Sequence, residues 1–331
     1  MSENTPLLSI RNLKVIFPTD AGIVRAVEGI DLAVMPGECA AIVGESGCGK
    51  SVTGLAAMRL LNSPPALFQA DEMRFDGRDM LLMDEAELNE LRGRDMCMVF
   101  QDALTALNPV MSVGRQMDEI FLRHTGMRKS QAKAASIAAL TAVGVPDPKR
   151  RYHDFPHQLS GGMRQRVLIA MAFAVKPKLI IADEPTTALD VTIQAQVLDL
   201  LKTLQREHGT ALILITHDLS VVAHMADTVH VMYSGKMVER APLRDLFLNP
   251  RHPYTRGLLA SVPSLDRCGA RFVQIRDQVP NPMHKPGGCY FHPRCDRCGE
   301  GCAERMPALT DMGGGVLVRC HYPWLPEKEG A

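Results

Sequence analysis

The chain has 331 residues, enough for one main domain of roughly 250 residues and a smaller appendage. Hydrophobic residues make up 46% and charged residues 22%, a balance that excludes a disordered or fibrous chain. Lys+Arg and Asp+Glu both number 37, so no net charge draws the protein to nucleic acid or anionic lipid, and the cluster Lys149-Arg150-Arg151 reads as solvated loop charge.

The first residues, 1–9, lack a basic stretch, an apolar run and a small-residue cleavage site, so secretion is not expected and the chain is placed in the cytosol. No apolar stretch approaches the ~20 residues of a spanning helix, so any membrane role has to come through partners. Nine cysteines in such a chain argue for reduced thiols or metal ligands over disulfides.

Residues 8–17 alternate, 18–22 punctuate and 38–43 form an apolar run, which predicts the start of a sheet. Gly44-Glu45-Ser46-Gly47-Cys48-Gly49-Lys50-Ser51 follows, between this strand and a predicted helix over 52–61 that Pro64 and Pro65 stop. Glycines there let backbone N–H groups close around phosphates, Lys50 can reach the β- and γ-phosphates, and Ser51 can ligate Mg²⁺. The nucleotide set is thus Gly44, Ser46, Gly47, Gly49, Lys50, Ser51 and the adjoining Val52.

Residues 108–158 carry helical spacing broken at Pro146 and Pro148, and predict a largely helical insertion. Strands are predicted again at 179–182, 211–215 and 229–233, separated by helices such as 193–207; this alternation implies a parallel sheet covered by helices. The strand ending in Asp183-Glu184 supplies two carboxylates: Asp183 suits the Mg²⁺ shell, and Glu184 suits orienting and deprotonating a water.

At Leu159-Ser160-Gly161-Gly162-Met163-Arg164-Gln165 the chain resembles the signature sequence of ABC-type ATPases. Physically it is a second anion cradle at a helix start, with Ser160 as N-cap. The resemblance implies a P-loop fold with a mixed or parallel sheet and a helical subdomain at about 102–175. It implies ATP with Mg²⁺ as cofactors, and two such domains paired so that Ser160, Gly161 and Gly162 of one complete the ATP site of the other. It also implies that Gln101 senses Mg²⁺ and the attacking water and links the site to membrane subunits. Asp190 lies in the loop that crosses the dimer interface, and His217 contacts the γ-phosphate. Phe17 stands where the family has an aromatic that stacks on adenine, although a buried strand aromatic explains it equally well.

Within the family, Phe100-Gln101-Asp102 with Leu107-Asn108-Pro109, the stretches 152–166 and 182–196, and His252-Pro253-Tyr254-Thr255 resemble the dipeptide, oligopeptide and nickel importer subunits. Ala103 departs from the proline usual after the Gln-Asp pair. The implied partners are a second ATPase subunit (a paralogue or a second copy), two multi-spanning permease subunits and, indirectly, an extracytoplasmic binding protein, with no nucleic acid. The implied place is the cytoplasmic side of a bacterial inner membrane. Peptides are the expected cargo, with nickel or another small solute, or a soluble non-transport ATPase, as alternatives.

The expected domains are 1–250 for nucleotide binding and 251–331 for a loop-rich extension dense in Pro, Gly and Cys, held by something other than an apolar core. There the spacing of Cys289, Cys295, Cys302 and Cys320 resembles the family's tail and implies a [4Fe–4S] cluster. Four soft thiolates suit either that cluster or zinc, and the Cys295–Cys298 spacing alone favours zinc. Cys39, Cys48, Cys97 and Cys268 read as isolated small residues.

Overall fold

In the computed structural model, which describes residues 5–187, 189–261 and 275–325, the alternating opening segment is strand Leu8–Thr19. It pairs antiparallel with Gly22–Val34, from Leu8 opposite Val34 to Thr19 opposite Gly22. The pairing shifts between Ile10 and Leu13, where Asn12 takes a left-handed φ of 50°. That bulge moves the buried face from Leu8 and Ile10 to Leu13 and Val15, because one added residue inverts the strand's alternation. The short strands Leu67–Gln69 and Glu72–Phe75 also pair with Leu8–Thr19.

The chain divides into two compact units. One holds Pro6–Val34, Cys39–Leu81 and the chain from Ile215 on; the other holds Met35–Glu38 and Leu82–Leu214. In the first unit, Cys39–Val43 is wholly buried and runs parallel to Thr228–Tyr233, which pairs antiparallel with Lys236–Pro242. Leu317–Val318 then pairs with Lys236–Pro242, and Thr310–Asp311 pairs with Leu317–Val318. The tail therefore extends this sheet.

Its apolar residues also have a core to join. Tyr254, Phe291, Val316 and Val318 are buried in one cluster with Val229, Val231 and Tyr233, which corrects the expectation of a coreless tail. Sequence periodicity missed this because single buried residues, separated by turns, contribute no repeat.

In the second unit, Met96–Val99 runs parallel to Leu179–Asp183, from Met96 opposite Leu179 to Val99 opposite Ala182, and the strand Ala211–Thr216, of which this unit holds the part up to Leu214, lies on the far side of Leu179–Asp183. The expected helical insertion contains Val113–Thr125, Lys129–Ala142 and Gly161–Phe173. Ser112 caps the first of these through Arg115 N–H, and Gly126 ends it in the left-handed conformation that lacks a Cβ penalty. Among the described residues, no helix is long and apolar enough to cross a membrane.

Candidate functional site

The glycine-rich loop leaves the buried strand Cys39–Val43 and enters helix Lys50–Ala57, with Gly49 as its N-cap. The helix begins at Lys50, ahead of the predicted start, and ends after Ala57; Arg59 then adopts a φ of 53°. Gly44 and Gly49 have φ of 154° and 102°. A Cβ at Gly44 would lie 2.2 Å from the Met232 carbonyl oxygen, and one at Gly49 2.3 Å from that of Ala26, so the loop's path admits no side chain at either position. Ser46 and Gly47 are exposed, and Ser51 and Val52 are half-buried. Lys50, only 6% exposed, donates through Nζ to the carbonyls of Gly44 at 2.8 Å and Glu45 at 3.0 Å. A buried ammonium over a ring of backbone groups is the cationic half of an anion cradle.

Asp183 and Glu184 close the strand Leu179–Asp183. Asp183 is 6% exposed. Glu184 sits at φ 45°, a left-handed conformation that β-carbon sterics disfavour, and such strain persists where the surroundings over-determine a side chain's direction. Its Oε2 accepts from Gln101 Nε2 at 2.8 Å and from Thr187 Oγ1 at 2.9 Å. Gln101 reaches it from the turn after strand Met96–Val99, which the parallel pairing sets beside Leu179–Asp183. Thr187 was not singled out from the sequence, and only its hydroxyl three residues after the carboxylate signals it.

Ser160 caps helix Gly161–Phe173, its Oγ accepting from Met163 N–H at 3.4 Å, and it is exposed together with Gly161. Gly162 lies against the neighbouring helix Val191–His208, where a Cβ would come within 2.8 Å of Ile193 Cγ2. Asp190 caps that second helix through Ile193 N–H at 3.0 Å. The two caps are thus tied through Ile193, and both are exposed.

His217 is exposed directly after strand Ala211–Thr216, and Asp218 caps the next helix, Leu219–Met225, through Ser220 N–H at 2.8 Å. Phe17 is half-buried opposite Val24 near the tip of the first hairpin.

In the tail, Cys302 is buried, Cys289, Cys295 and Cys320 are half-buried, and Cys298 is exposed. The backbone N–H of Cys289 donates to the Cys302 carbonyl at 2.8 Å. Burial pushes the Cys295 and Cys320 thiols up to about 11; Cys289 and Cys302 reinforce both, with Cys298 acting on Cys295 and Cys295 on Cys320. Cys289 is raised by burial, and also by Cys302 and Cys298. These thiols therefore share one electrostatic neighbourhood. Among the described residues, no three His, Cys, Asp or Glu side chains stand as a single-ion site. Cys39, Cys48 and Cys97 are buried apart from them, and Cys268 lies outside the described residues.

Two residues that the sequence reading left without roles belong to the phosphate loop's surroundings. Tyr254 Oη accepts from Glu45 N–H at 2.9 Å, and Arg294 Nη1 donates to both carboxylate oxygens of Glu45 at 3.1 Å. The words containing them, His-Pro-Tyr-Thr and Pro-Arg-Cys, were the only signal.

Comparison with known proteins fits this arrangement. The fold covers 72% of the chain and 99% of a dimeric bacterial ABC transporter cassette, with a TM-score of 0.64 and 26% identity. The same values describe the dimeric cassette in a post-hydrolysis state bound to ADP and Pi. Fold, phosphate loop and paired carboxylates define an ATP-binding cassette, a P-loop ATPase. Residues 27–187 match the family described as ABC transporter, and 238–302 match the one described as oligopeptide/dipeptide transporter, C-terminal region. The dipeptide transport ATP-binding protein DppD of Bacillus subtilis is 47% identical over 97% of this chain and 95% of its own length. The oligopeptide transport ATP-binding protein OppD of the same organism is 51% identical over 98% and 92%, and that of Salmonella typhimurium 47% over 96% and 94%. The chain belongs to the ABC transporter family, among its ATP-binding subunits that carry the oligopeptide/dipeptide C-terminal region.

Proposed function

We propose that this ATPase drives import of dipeptides or oligopeptides, acting at the cytoplasmic face of the membrane as one of two paired ATP-binding subunits docked on two spanning permease subunits. The second subunit is a paralogue, and an extracytoplasmic binding protein delivers the cargo. The reading rests on a buried Lys50 held over the loop carbonyls of Gly44 and Glu45, a cation placed where phosphate oxygens can replace neutral acceptors. Peptide cargo follows from relatives named for dipeptide and oligopeptide transport that align along nearly the whole chain.

Residues 1–250 would form the nucleotide-binding domain, with a helical subdomain at about 102–175, and 251–331 the extension. Backbone N–H groups of the loop from Gly44 to Ser51, and Val52 after it, bind the phosphates, with Lys50 on the β- and γ-oxygens. Ser51, Asp183 and Gln101 would hold Mg²⁺ through hard oxygen donors, and the ion would supply charge neutralisation at those phosphate oxygens. Glu184 takes the proton as water oxygen bonds to the γ-phosphorus and the bond to the ADP oxygen breaks; Gln101 and Thr187 orient the carboxylate. His217 steadies the γ-phosphate, and Phe17 stacks on the base. Ser160, Gly161 and Gly162, with Asp190, serve the partner subunit's nucleotide.

The tail thiols fit a [4Fe–4S] cluster by donor chemistry. Cys289, Cys295 and Cys302 all act on the charge of Cys320, so these soft donors share one neighbourhood, which suits the cluster first and zinc as the alternative. Bound there, the cluster would supply folding energy to the tail. The function is tested by purifying the intact transporter and measuring ATP-dependent peptide uptake into vesicles. Uptake of nickel but not peptides, or copurification with nucleic acid in place of permeases, would contradict it.

A further inference from the structure

We infer that the C-terminal tail braces the phosphate-binding loop, with Arg294 and Tyr254 as positioning residues that act on the nucleotide through Glu45. The loop is gripped at one residue by two groups, 209 and 249 positions away in sequence. Tyr254 Oη accepts the Glu45 backbone N–H at 2.9 Å, and Arg294 Nη1 contacts both Glu45 carboxylate oxygens at 3.1 Å.

Both braces are themselves fixed. Tyr254 is fully buried, 4.7 Å ring to ring from Tyr233 and 5.3 Å from Phe291. The Arg294 side chain, 4% exposed, also donates through Nε to the Arg276 carbonyl at 2.7 Å, through Nη2 to the Asp277 carbonyl at 3.0 Å and through Nη1 to Tyr233 Oη at 3.3 Å. A guanidinium held by four partners has one orientation, and its Nη1 carries that orientation to both carboxylate oxygens of Glu45.

Glu45 is where this matters, because its carbonyl is one of the acceptors of Lys50 Nζ. Tyr254 holds the Gly44–Glu45 peptide unit, whose carbonyl is another acceptor of the lysine, and Arg294 holds the side chain of Glu45 itself. A loop already held in its binding geometry binds phosphate without losing the entropy of ordering it. Arg294 stands immediately before Cys295, so any order imposed on the thiol-bearing turn reaches the loop through a single side chain.

This inference rests on the nucleotide reading above, and the experiment separates the two. Binding of a fluorescent ATP analogue is measured for the full-length chain, Lys50→Ala, Arg294→Met, Glu45→Gln and the double Glu45→Gln/Arg294→Met. Arg294→Met is expected to weaken binding about tenfold, the loss typical of a charged hydrogen-bonded contact. The double variant should bind no more weakly than either single one, because both remove the same link. Arg294→Lys, which keeps the charge but loses the anchoring through Nε and Nη2, should recover part of the affinity. Additive losses, or unchanged affinity in Arg294→Met while Lys50→Ala abolishes binding, would overturn the bracing role alone. Retained binding in Lys50→Ala would overturn the nucleotide reading and this inference with it. Should Arg294→Met fail to fold, Tyr254→Phe removes only the hydroxyl: faster hydrogen exchange over residues 45–50 with weaker binding supports the brace, and no change in either overturns it.

Discussion

Gln101 Nε2 donates to Glu184 Oε2 at 2.8 Å, joining residues 83 positions apart at the ends of two parallel strands. With Thr187 Oγ1 on the same oxygen, the carboxylate has a fixed direction before any proton moves. Glu184→Gln keeps the size and the Thr187 contact but cannot accept a proton. Turnover should therefore fall by about 10²–10⁴-fold with nucleotide affinity intact, read as phosphate release against analogue binding. Gln101→Ala removes orientation only, and should cost less than Glu184→Gln. An equal or larger loss in Gln101→Ala would point to a direct role for the amide.

Ser160 and Gly162 lie on an exposed helix start, a place where a purely structural cap would tolerate change. Ser160→Ala removes one cap hydrogen bond, worth about 1 kcal/mol of stability. Ser160→Arg should leave analogue binding by the separate chain unchanged yet abolish turnover in the paired enzyme. In a Glu184→Gln background it should also prevent ATP-dependent dimerisation in size-exclusion chromatography. A dimer that still forms would mean this turn does not meet the partner's nucleotide.

His230 offers a prediction independent of catalysis. It is fully buried, neither ring nitrogen has a hydrogen-bond partner among the described residues, and burial, with Arg240 nearby, pushes it down to about 3. An unfolded histidine titrates near 6.5, so between about 3 and 6.5 the unfolded chain binds a proton that the folded chain refuses. Stability is therefore complete above about pH 6.5 and lost as pH falls, at up to ~1.4 kcal/mol per pH unit for this one group. Denaturant midpoints followed from pH 7.5 to 5.5 should decline, and His230→Leu should flatten the decline. An equally steep loss in the variant would assign it to other groups.

What the sequence made legible was chemistry concentrated in contiguous words. The glycine loop, the strand-end carboxylates and the serine-glycine turn each occupy a few adjacent residues, and each lies on the strand or helix boundary that its chemistry requires. The pairings among those words were not legible from residue types. Gln101 meets Glu184, and Arg294 meets Glu45, only because strand register and tail packing carry distant segments together. The bulge at Asn12 and the tail's buried cluster were hidden for a related reason. A single left-handed residue inverts an alternation that otherwise looks continuous, and a core built from isolated residues between turns has no period.

The proposed tail cluster ties proton chemistry to metal loading. With Cys295 and Cys320 pushed up to about 11 by burial and by their neighbours, these two thiols are protonated at neutral pH, and loading of the proposed cluster would displace their protons. Reconstitution of the reduced protein with iron and sulfide should thus proceed further as pH rises from 7 to 9. The product should hold about four iron and four sulfide per chain, with a visible charge-transfer absorption. Cys302→Ser removes a buried donor whose carbonyl also holds Cys289 N–H, and should abolish iron retention and lower the melting temperature of the loaded protein. Cys298→Ser, altering an exposed thiol, should leave iron content unchanged, whereas zinc at one per chain with Cys298 required would replace the cluster by a zinc site.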